Sequence, residues 1–100
     1  MNPQPSPKSR NGYCIFIDTI CQGSIPVVRD EKGYYVVYET EREAQKEIAD
    51  DLMERLKQFL AGARDFEDAI TVEDYIVPVT VKPDGTITDL EGNTFDPKQE

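Results

Sequence analysis

The chain contains no histidine and only two cysteines. Without histidine, a serine or cysteine nucleophile has no imidazole base to activate it, so the common Ser-His and Cys-His hydrolase arrangements are excluded. Two cysteines cannot supply the four ligands of a structural zinc site. We therefore expect a protein with no metal ion, no cofactor and no catalytic residues of these kinds.

Long apolar runs are also missing. The sequence has no stretch of about 18 apolar residues that could cross a membrane, and no basic start followed by an apolar run that would direct secretion. This predicts a cytoplasmic protein that does not contact membranes. Cys14 and Cys21 are separated by roughly 23 Å on a continuous extended strand, too far for a disulfide. We interpret both as small buried hydrophobic residues.

Positive charge is scarce, because the chain has 20 acidic and 11 basic residues and a net charge of −9. Residues 39–74 contain twelve acidic and five basic residues, so this segment holds seven of the nine excess negative charges. A field of that sign repels nucleic acid and attracts basic protein surfaces. We expect no direct binding of DNA or RNA, and a basic or nucleic-acid-binding protein as partner.

Hydrophobic patterning predicts four strands and one long helix. Residues 13–20 are apolar on both faces, which is typical of a central strand. Gly23 and Pro26 then predict a turn, and Val27 and Val28 could start a second strand that the clearer run 34–38 completes. Residues 75–81 alternate as a half-buried strand, in which Pro78 indicates an edge or a bulge. A turn at 82–85 precedes a short strand within residues 86–90.

The resulting order is β-β-α-β-β. The predicted fold class is α+β, with an antiparallel sheet of about four strands and one long amphipathic helix packed across it. Residues 1–12 contain three prolines and no apolar residue after Met1, so we predict a disordered N-terminal arm. The single domain is expected to span residues 13–95, followed by a loose tail at 96–100.

The helix is predicted to start at Thr40, where Thr40 and Glu43 form a T-x-x-E capping box, and to end near Ala61 before Gly62. At about 100° per residue, one face collects the apolar residues Ala44, Ile48, Leu52, Leu56, Phe59, Leu60 and Ala63. An acidic stripe, defined as Glu43, Glu47, Asp50 and Glu54, runs almost opposite to them. Like charges four residues apart cost a few tenths of a kcal/mol each, so helix stability does not explain the stripe.

Two interpretations of the stripe remain open. It could be a solvated helix surface with local ion pairs such as Asp51 with Arg55, or an anionic surface that competes with nucleic acid for a basic groove. A second acidic cluster, DFED at residues 65–68, follows the helix. The second interpretation predicts the following partner-binding residues: Glu43, Glu47, Asp50, Asp51, Glu54, Asp65, Glu67 and Asp68.

The tyrosines near the second predicted strand allow a further interpretation. Alternation puts Tyr34 and Tyr38 on one face and Tyr35 on the other, so at least one tyrosine face is not fully buried. That face could form an interaction patch or a homodimer surface. The alternative is a set of ordinary core tyrosines whose hydroxyls reach water.

Asp18 interrupts an otherwise apolar strand, where an isolated charge would be costly. The segment IFIDT, residues 15–19, resembles the first strand of ribonuclease-H-type nucleases. That resemblance implies a metal-dependent hydrolase or nuclease in which Asp18 holds a divalent metal with carboxylates such as Glu47 and Asp68. The other interpretation places Asp18 at the solvent-facing end of its strand, or hydrogen-bonds it to a neighbouring turn.

Residues 34–66 and the segment YIVPVTVKPDGTI, residues 75–87, resemble small acidic proteins carried by bacteria and their phages. In size, charge and α+β layout the chain is similar to the anti-CRISPR inhibitors, several of which occupy nucleic-acid sites. The strand followed at once by ETEREA is similar to HicB-like antitoxins, which implies an antitoxin or adaptor role. Our leading hypothesis is a non-enzymatic inhibitor that acts as a nucleic-acid mimic.

Overall fold

The fold is α+β, as the sequence predicted. The computed structural model describes residues 9–97. An antiparallel sheet has the strand order β2-β1-β3-β4-β5, and residues from both edge strands line common cavities, so the sheet is curled almost into a barrel. The elements are β1 Arg10–Thr19, β2 Gly23–Pro26, α1 Glu41–Leu60, α2 Phe66–Ile70, β3 Tyr75–Val81, β4 Ile87–Thr88 and β5 Thr94–Phe95.

Strand β1 is central and buried on both faces, which confirms its prediction. It pairs with β3 along residues 10–16 and with β2 along residues 16–19. Cys14 and Phe16 join Val79, Val81 and Ile87 in the core. Ile15, which points to the other face of the strand, is only 1% exposed. Both faces therefore need apolar side chains, as the run from Tyr13 onwards indicated.

The first strand begins earlier than predicted. Arg10, Asn11 and Gly12 pair with Val81, Thr80 and Val79 of β3, although we had placed them in the N-terminal arm. Residues 1–8 of that arm and residues 98–100 of the predicted tail lie outside the described residues. The ordered sheet therefore includes three polar or small residues that carry no strand signal of their own.

The predicted strand at residues 34–38 is wrong in detail. This segment makes only isolated bridges, from Tyr38 to Tyr13 and from Tyr35 to Arg29. Residues 23–26, predicted as a turn, form β2 instead and occupy the side of β1 that residues 34–38 would have needed. Tyr13 alone remains for Tyr38, with which it exchanges two backbone hydrogen bonds of 2.8 Å.

The edge position predicted from Pro78 is confirmed by the register of β3. Pro78 lies opposite Tyr13, whose N–H and C=O both bond to Tyr38 on the far side of β1. Tyr13 and Pro78 are therefore a non-hydrogen-bonded pair. On its other side, β3 pairs with β4 only at Thr80 and Val81, so no strand within residues 9–97 faces Pro78 there. The missing N–H of proline thus costs no ladder bond.

Helix α1 starts and ends where the sequence predicted. The Thr40 hydroxyl accepts a bond from the Glu43 N–H, and the Glu43 carboxylate accepts one from the Glu39 N–H, both at 3.1 Å. Gly62 has φ 84°, and the N–H groups of Gly62 and Ala63 bond back to the carbonyls of Phe59 and Gln58. These bonds form a Schellman motif, which gives hydrogen-bond donors to carbonyl groups in the last turn of the helix.

The helix is anchored near its N-terminus and becomes more exposed towards its C-terminus. Ala44 is its one buried residue, and α1 contacts β1, β3 and α2. Ile48, Leu52, Leu56 and Phe59 are half-buried. Leu60, which we had assigned to the apolar face, is 79% exposed. The second half of α1 therefore presents its side chains mainly to solvent and to α2.

The short helix α2 follows the end of α1 directly. Phe66 and Ile70, its first and last residues, lie four positions apart. Phe66 does contact Phe59, with ring centroids 5.2 Å apart, but Phe66 and Ile70 are about half exposed and Ala69 is the buried residue. The small Ala69 side chain allows close approach of the two helices.

The two cysteines are in different environments. Cys14 is buried, as predicted, whereas Cys21 is exposed, and both are free thiols. The interpretation of Cys21 was wrong because β1 ends at Thr19, and the turn before Gly23 places residues 20–22 in solvent. Within the described residues, neither helix has the length and apolar character needed to cross a membrane.

Candidate functional site

The acidic residues predicted to bind a partner lie on α1 and on the turn that leads into α2. All eight are exposed. The capping box fixes the start of α1 and thereby the direction in which the acidic stripe points. Asp65 precedes α2, and Glu67 and Asp68 belong to its first turn, where negative charge is favourable. The predicted surface is therefore accessible to a partner.

Three of the eight carboxylates are engaged within the protein. Glu43 completes the capping box. Asp51 lies 3.2 Å from Arg55 Nε, the pair that the sequence suggested. Asp68 forms an ion pair of 2.5 Å with Arg64, a contact that we did not predict. These residues have structural roles that explain their presence without a partner.

The other five make no ion pair and no side-chain hydrogen bond within residues 9–97; they are Glu47, Asp50, Glu54, Asp65 and Glu67. Glu47 lies close enough to the sheet to act on Tyr38, because burial first and the Glu47 charge second raise the pKa of the Tyr38 phenol. Lys46 and Lys57, which lie beside the stripe in the helical projection, form no ion pair with it. Within residues 9–97, Glu47, Asp50 and Glu54 of the stripe therefore have no ion-pair partner.

Arg55 ties α1 to the chain around α2. Its side chain is 17% exposed, and its Nη1 donates to the carbonyl oxygens of Asp68 at 3.2 Å and Thr71 at 2.6 Å. One guanidinium on α1 therefore fixes the position of α2 and of the chain that follows it. The helix stripe and the DFED cluster, which are separate in sequence, belong to one pair of helices in contact.

A shallow cavity beside Arg55 adds two carboxylates that we did not predict. It has a volume of about 220 Å³ and is lined by Asp51, Arg55, Asp68, Thr71, Glu73 and Asp74. Glu73 and Asp74 follow the DFED cluster in the same acidic stretch of sequence. Extending that cluster along the sequence could have identified both residues as candidates. Only the bond from Arg55 to Thr71 shows that the chain after α2 returns to α1 and brings them to this cavity.

Asp18 has a different environment from the acidic helices. It is exposed near the end of β1, and its Oδ1 accepts a hydrogen bond of 2.7 Å from the Tyr75 hydroxyl. Among the described residues, no three His, Cys, Asp or Glu side chains are grouped so that they could hold a metal ion. The structure therefore does not bring Asp18, Glu47 and Asp68 together, as the nuclease-like arrangement would require.

All five tyrosines are half-buried. Tyr35 carries a guanidinium over its ring, with Arg29 Cζ 4.4 Å from the ring centroid, and its hydroxyl accepts a bond of 2.9 Å from the same residue. Tyr75 bonds to Asp18 and Ser24. The rings pack on the sheet while their hydroxyls bond at its surface, an arrangement expected of core tyrosines.

Comparison with known proteins gives no family assignment. No protein-family model matches the chain, and no similar protein was found among curated sequences or among solved structures.

Proposed function

We propose that the protein is a non-enzymatic inhibitor that docks its acidic helices on a basic, nucleic-acid-binding surface of a partner protein. The observation that supports this most directly is the set of five exposed carboxylates without internal partners on α1 and before α2. Structural ion pairs use other residues, so these charges are free to meet an external cationic surface.

The length of the stripe suits such a role. Glu43 to Glu54 spans eleven residues, or roughly 16 Å of helix. A row of negative charges along a rigid rod can replace the phosphates of a nucleic-acid strand in a basic groove. Displacement of the counterions associated with the nucleic acid then makes the competition dependent on salt.

Capture of the partner from extracts of the native host tests this proposal. The double variant Glu47→Lys, Asp50→Lys should keep its thermal melting midpoint, because both side chains are exposed, and should lose the captured partner. A control, Glu31→Lys with Asp96→Lys, makes the same change in net charge at two exposed positions outside the helices. Equal capture by both double variants would contradict a role for the stripe.

A further inference from the structure

A second region of the molecule offers a binding site that α1 and α2 do not form. A cavity of about 630 Å³ lies in the gap between the two edges of the curled sheet, within the size range of small-ligand pockets. Strand β2 contributes Gly23 and Ser24, strand β3 contributes Tyr75 and Val77, and residues 89–95 come from the hairpin of β4 and β5. The strands β2, β3 and β5 and the turn between β4 and β5 therefore converge on it.

The described walls of this cavity carry negative charge. Asp89 and Glu91 line it, and none of the lining residues within 9–97 is basic. Burial alone would raise the pKa of Asp89, but hydrogen bonds from Asn93 and from the N–H groups of Asn93 and Glu91 outweigh it and hold the pKa below its ordinary value. Asp89 therefore remains ionised, and within residues 9–97 it has no ion pair.

A chain of hydroxyls links the lining residues Ser24 and Tyr75 to a third carboxylate, Asp18, which does not itself line the cavity. The Tyr75 hydroxyl donates its only proton to Asp18 Oδ1, so in its bond with Ser24 it must accept, and Ser24 donates. Asp18 Oδ2 keeps its acceptor capacity, because no hydrogen bond reaches it within the described residues. The network thus holds the Asp18 carboxylate at the Tyr75 hydroxyl.

The remaining walls are aromatic and aliphatic. Tyr75 and Phe95 offer ring surfaces, and Val77 and the 81% exposed Leu90 offer alkyl surface. An adjoining cavity shares Phe95 with this one. Its lining includes Arg29, whose guanidinium lies over the ring of Tyr35. The sheet surface therefore already binds a guanidinium beside this cavity, while the larger cavity has none.

We propose that the cavity between β2, β3 and the β4–β5 hairpin binds an organic cation with an alkyl stem, such as an alkylguanidinium. The cationic head would lie among Asp18, Asp89 and Glu91 and against the face of Tyr75, where a cation is attracted by the ring as well as by the carboxylates. The stem would contact Val77 and Leu90. This inference does not depend on the proposed function of the acidic helices.

Titration of the full chain with butylguanidinium, followed by two-dimensional NMR of the backbone amides, tests the proposal. We expect saturable shifts at Gly23, Tyr75 and Thr94, with a Kd on the order of 1 mM because the cavity is open. Butylurea has nearly the same shape without the charge, and should bind at least tenfold more weakly. Equal binding of the two compounds, or no saturation with either, would overturn the proposal.

Single substitutions test which carboxylates contribute to binding of the cation. Glu91→Gln should weaken binding of butylguanidinium by roughly three- to tenfold, the scale of one partly screened ion pair. Asp18→Asn retains an acceptor for Tyr75 and should weaken binding similarly. Glu54→Gln on α1 removes the same charge elsewhere and should leave the Kd unchanged; an equal loss in this variant would show only a general effect of net charge.

A second ligand distinguishes the source of the cation. A capped Gly-Arg-Gly peptide presents the same group as a protein side chain would. Binding of both compounds would indicate that the cavity accepts an arginine from a partner, and binding of butylguanidinium alone would indicate a free small molecule. Either result supports a site for an organic cation.

Discussion

Arg55 is the residue on which the geometry of the acidic surface depends most. It is located on the edge of the inward-facing side of α1, where a lysine or a glutamate would be expected to reach solvent. Instead, its guanidinium donates to two backbone carbonyls of the following segment, at Asp68 and Thr71. Nη1 makes both of these bonds while Nε lies 3.2 Å from the Asp51 carboxylate, and an ammonium has only one nitrogen to serve all three acceptors.

We therefore predict that Arg55→Lys lowers the free energy of unfolding by about 1–2 kcal/mol, since hydrogen bonds from a charged donor are lost while the charge remains. Urea denaturation measures the effect. Arg42→Lys is a matched control, because Arg42 is exposed on the same helix and has no hydrogen bond or ion pair within residues 9–97. Equal midpoints for the two variants would show that Arg55 does not hold α2 in place.

The two thiols should differ sharply in reactivity. Burial raises the pKa of Cys14 from 9.0 to about 12, although the charge of Arg10 lowers it slightly, whereas Cys21 is exposed. We predict that a disulfide reagent at pH 8 modifies one thiol per native chain and two per unfolded chain. Cys21→Ser should then show no fast reaction in the native state. Rapid modification of that variant would contradict the burial of Cys14.

The raised pKa of Cys14 also makes the stability of the fold depend on pH. The unfolded thiol ionises near its ordinary pKa of 9.0 and the folded thiol near 12. Because the folded state holds the proton more tightly, the contribution of Cys14 to stability is complete below pH 9 and is lost as the pH rises towards 12.

At the scale of elements, the sequence predicted what local interactions determine. Helix α1 was predicted with its ends because the capping box, the apolar periodicity and Gly62 all act within a few residues. Strand β1 was predicted because both of its faces are apolar. By contrast, the two-residue strand β5 was missed because it exists only through its pairing with β4. Residues 34–38 were assigned to a strand because the sequence does not show that β2 pairs with β1 instead.

The candidate site shows the same division. Sequence reasoning located the carboxylates on one helix and one turn, and it identified the pair of Asp51 with Arg55, which are four residues apart. It could not show that Arg55 reaches Thr71, sixteen residues away, or that Tyr75 reaches Asp18 across 57 residues. Contacts of that separation depend on the tertiary fold and leave no periodic signal.

The early start of β1 leads to a prediction at this scale. A side chain at Gly12 would place its Cβ 2.8 Å from the Tyr38 carbonyl oxygen and even closer to Val37. Gly12→Ala should therefore destabilise the fold by about 1–3 kcal/mol, because a backbone atom must move. The neighbouring exposed Asn11→Ala should change the thermal midpoint far less. Similar midpoints for both variants would place these residues outside the ordered sheet.

At the scale of the whole molecule, the acidic helices differ from the sheet. The sheet carries the core and the half-buried tyrosines, whereas the helices and the turn between them carry five exposed carboxylates that form no ion pair within residues 9–97. A purely solvated surface would tolerate such charges but would gain no stability from their alignment. The proposed anionic docking surface would account for both the alignment and the lack of internal ion pairs.

The most direct test is competition for nucleic acid by a partner recovered through capture with the unmodified protein. The apparent Kd of that partner for its nucleic acid would be measured at increasing concentrations of the protein and of its Glu47→Lys, Asp50→Lys variant. We predict a linear rise in the apparent Kd with the unmodified protein, a weaker effect at higher salt, and no rise with the variant. A complex containing the partner, its nucleic acid and this protein together, with the apparent Kd unchanged, would contradict the account.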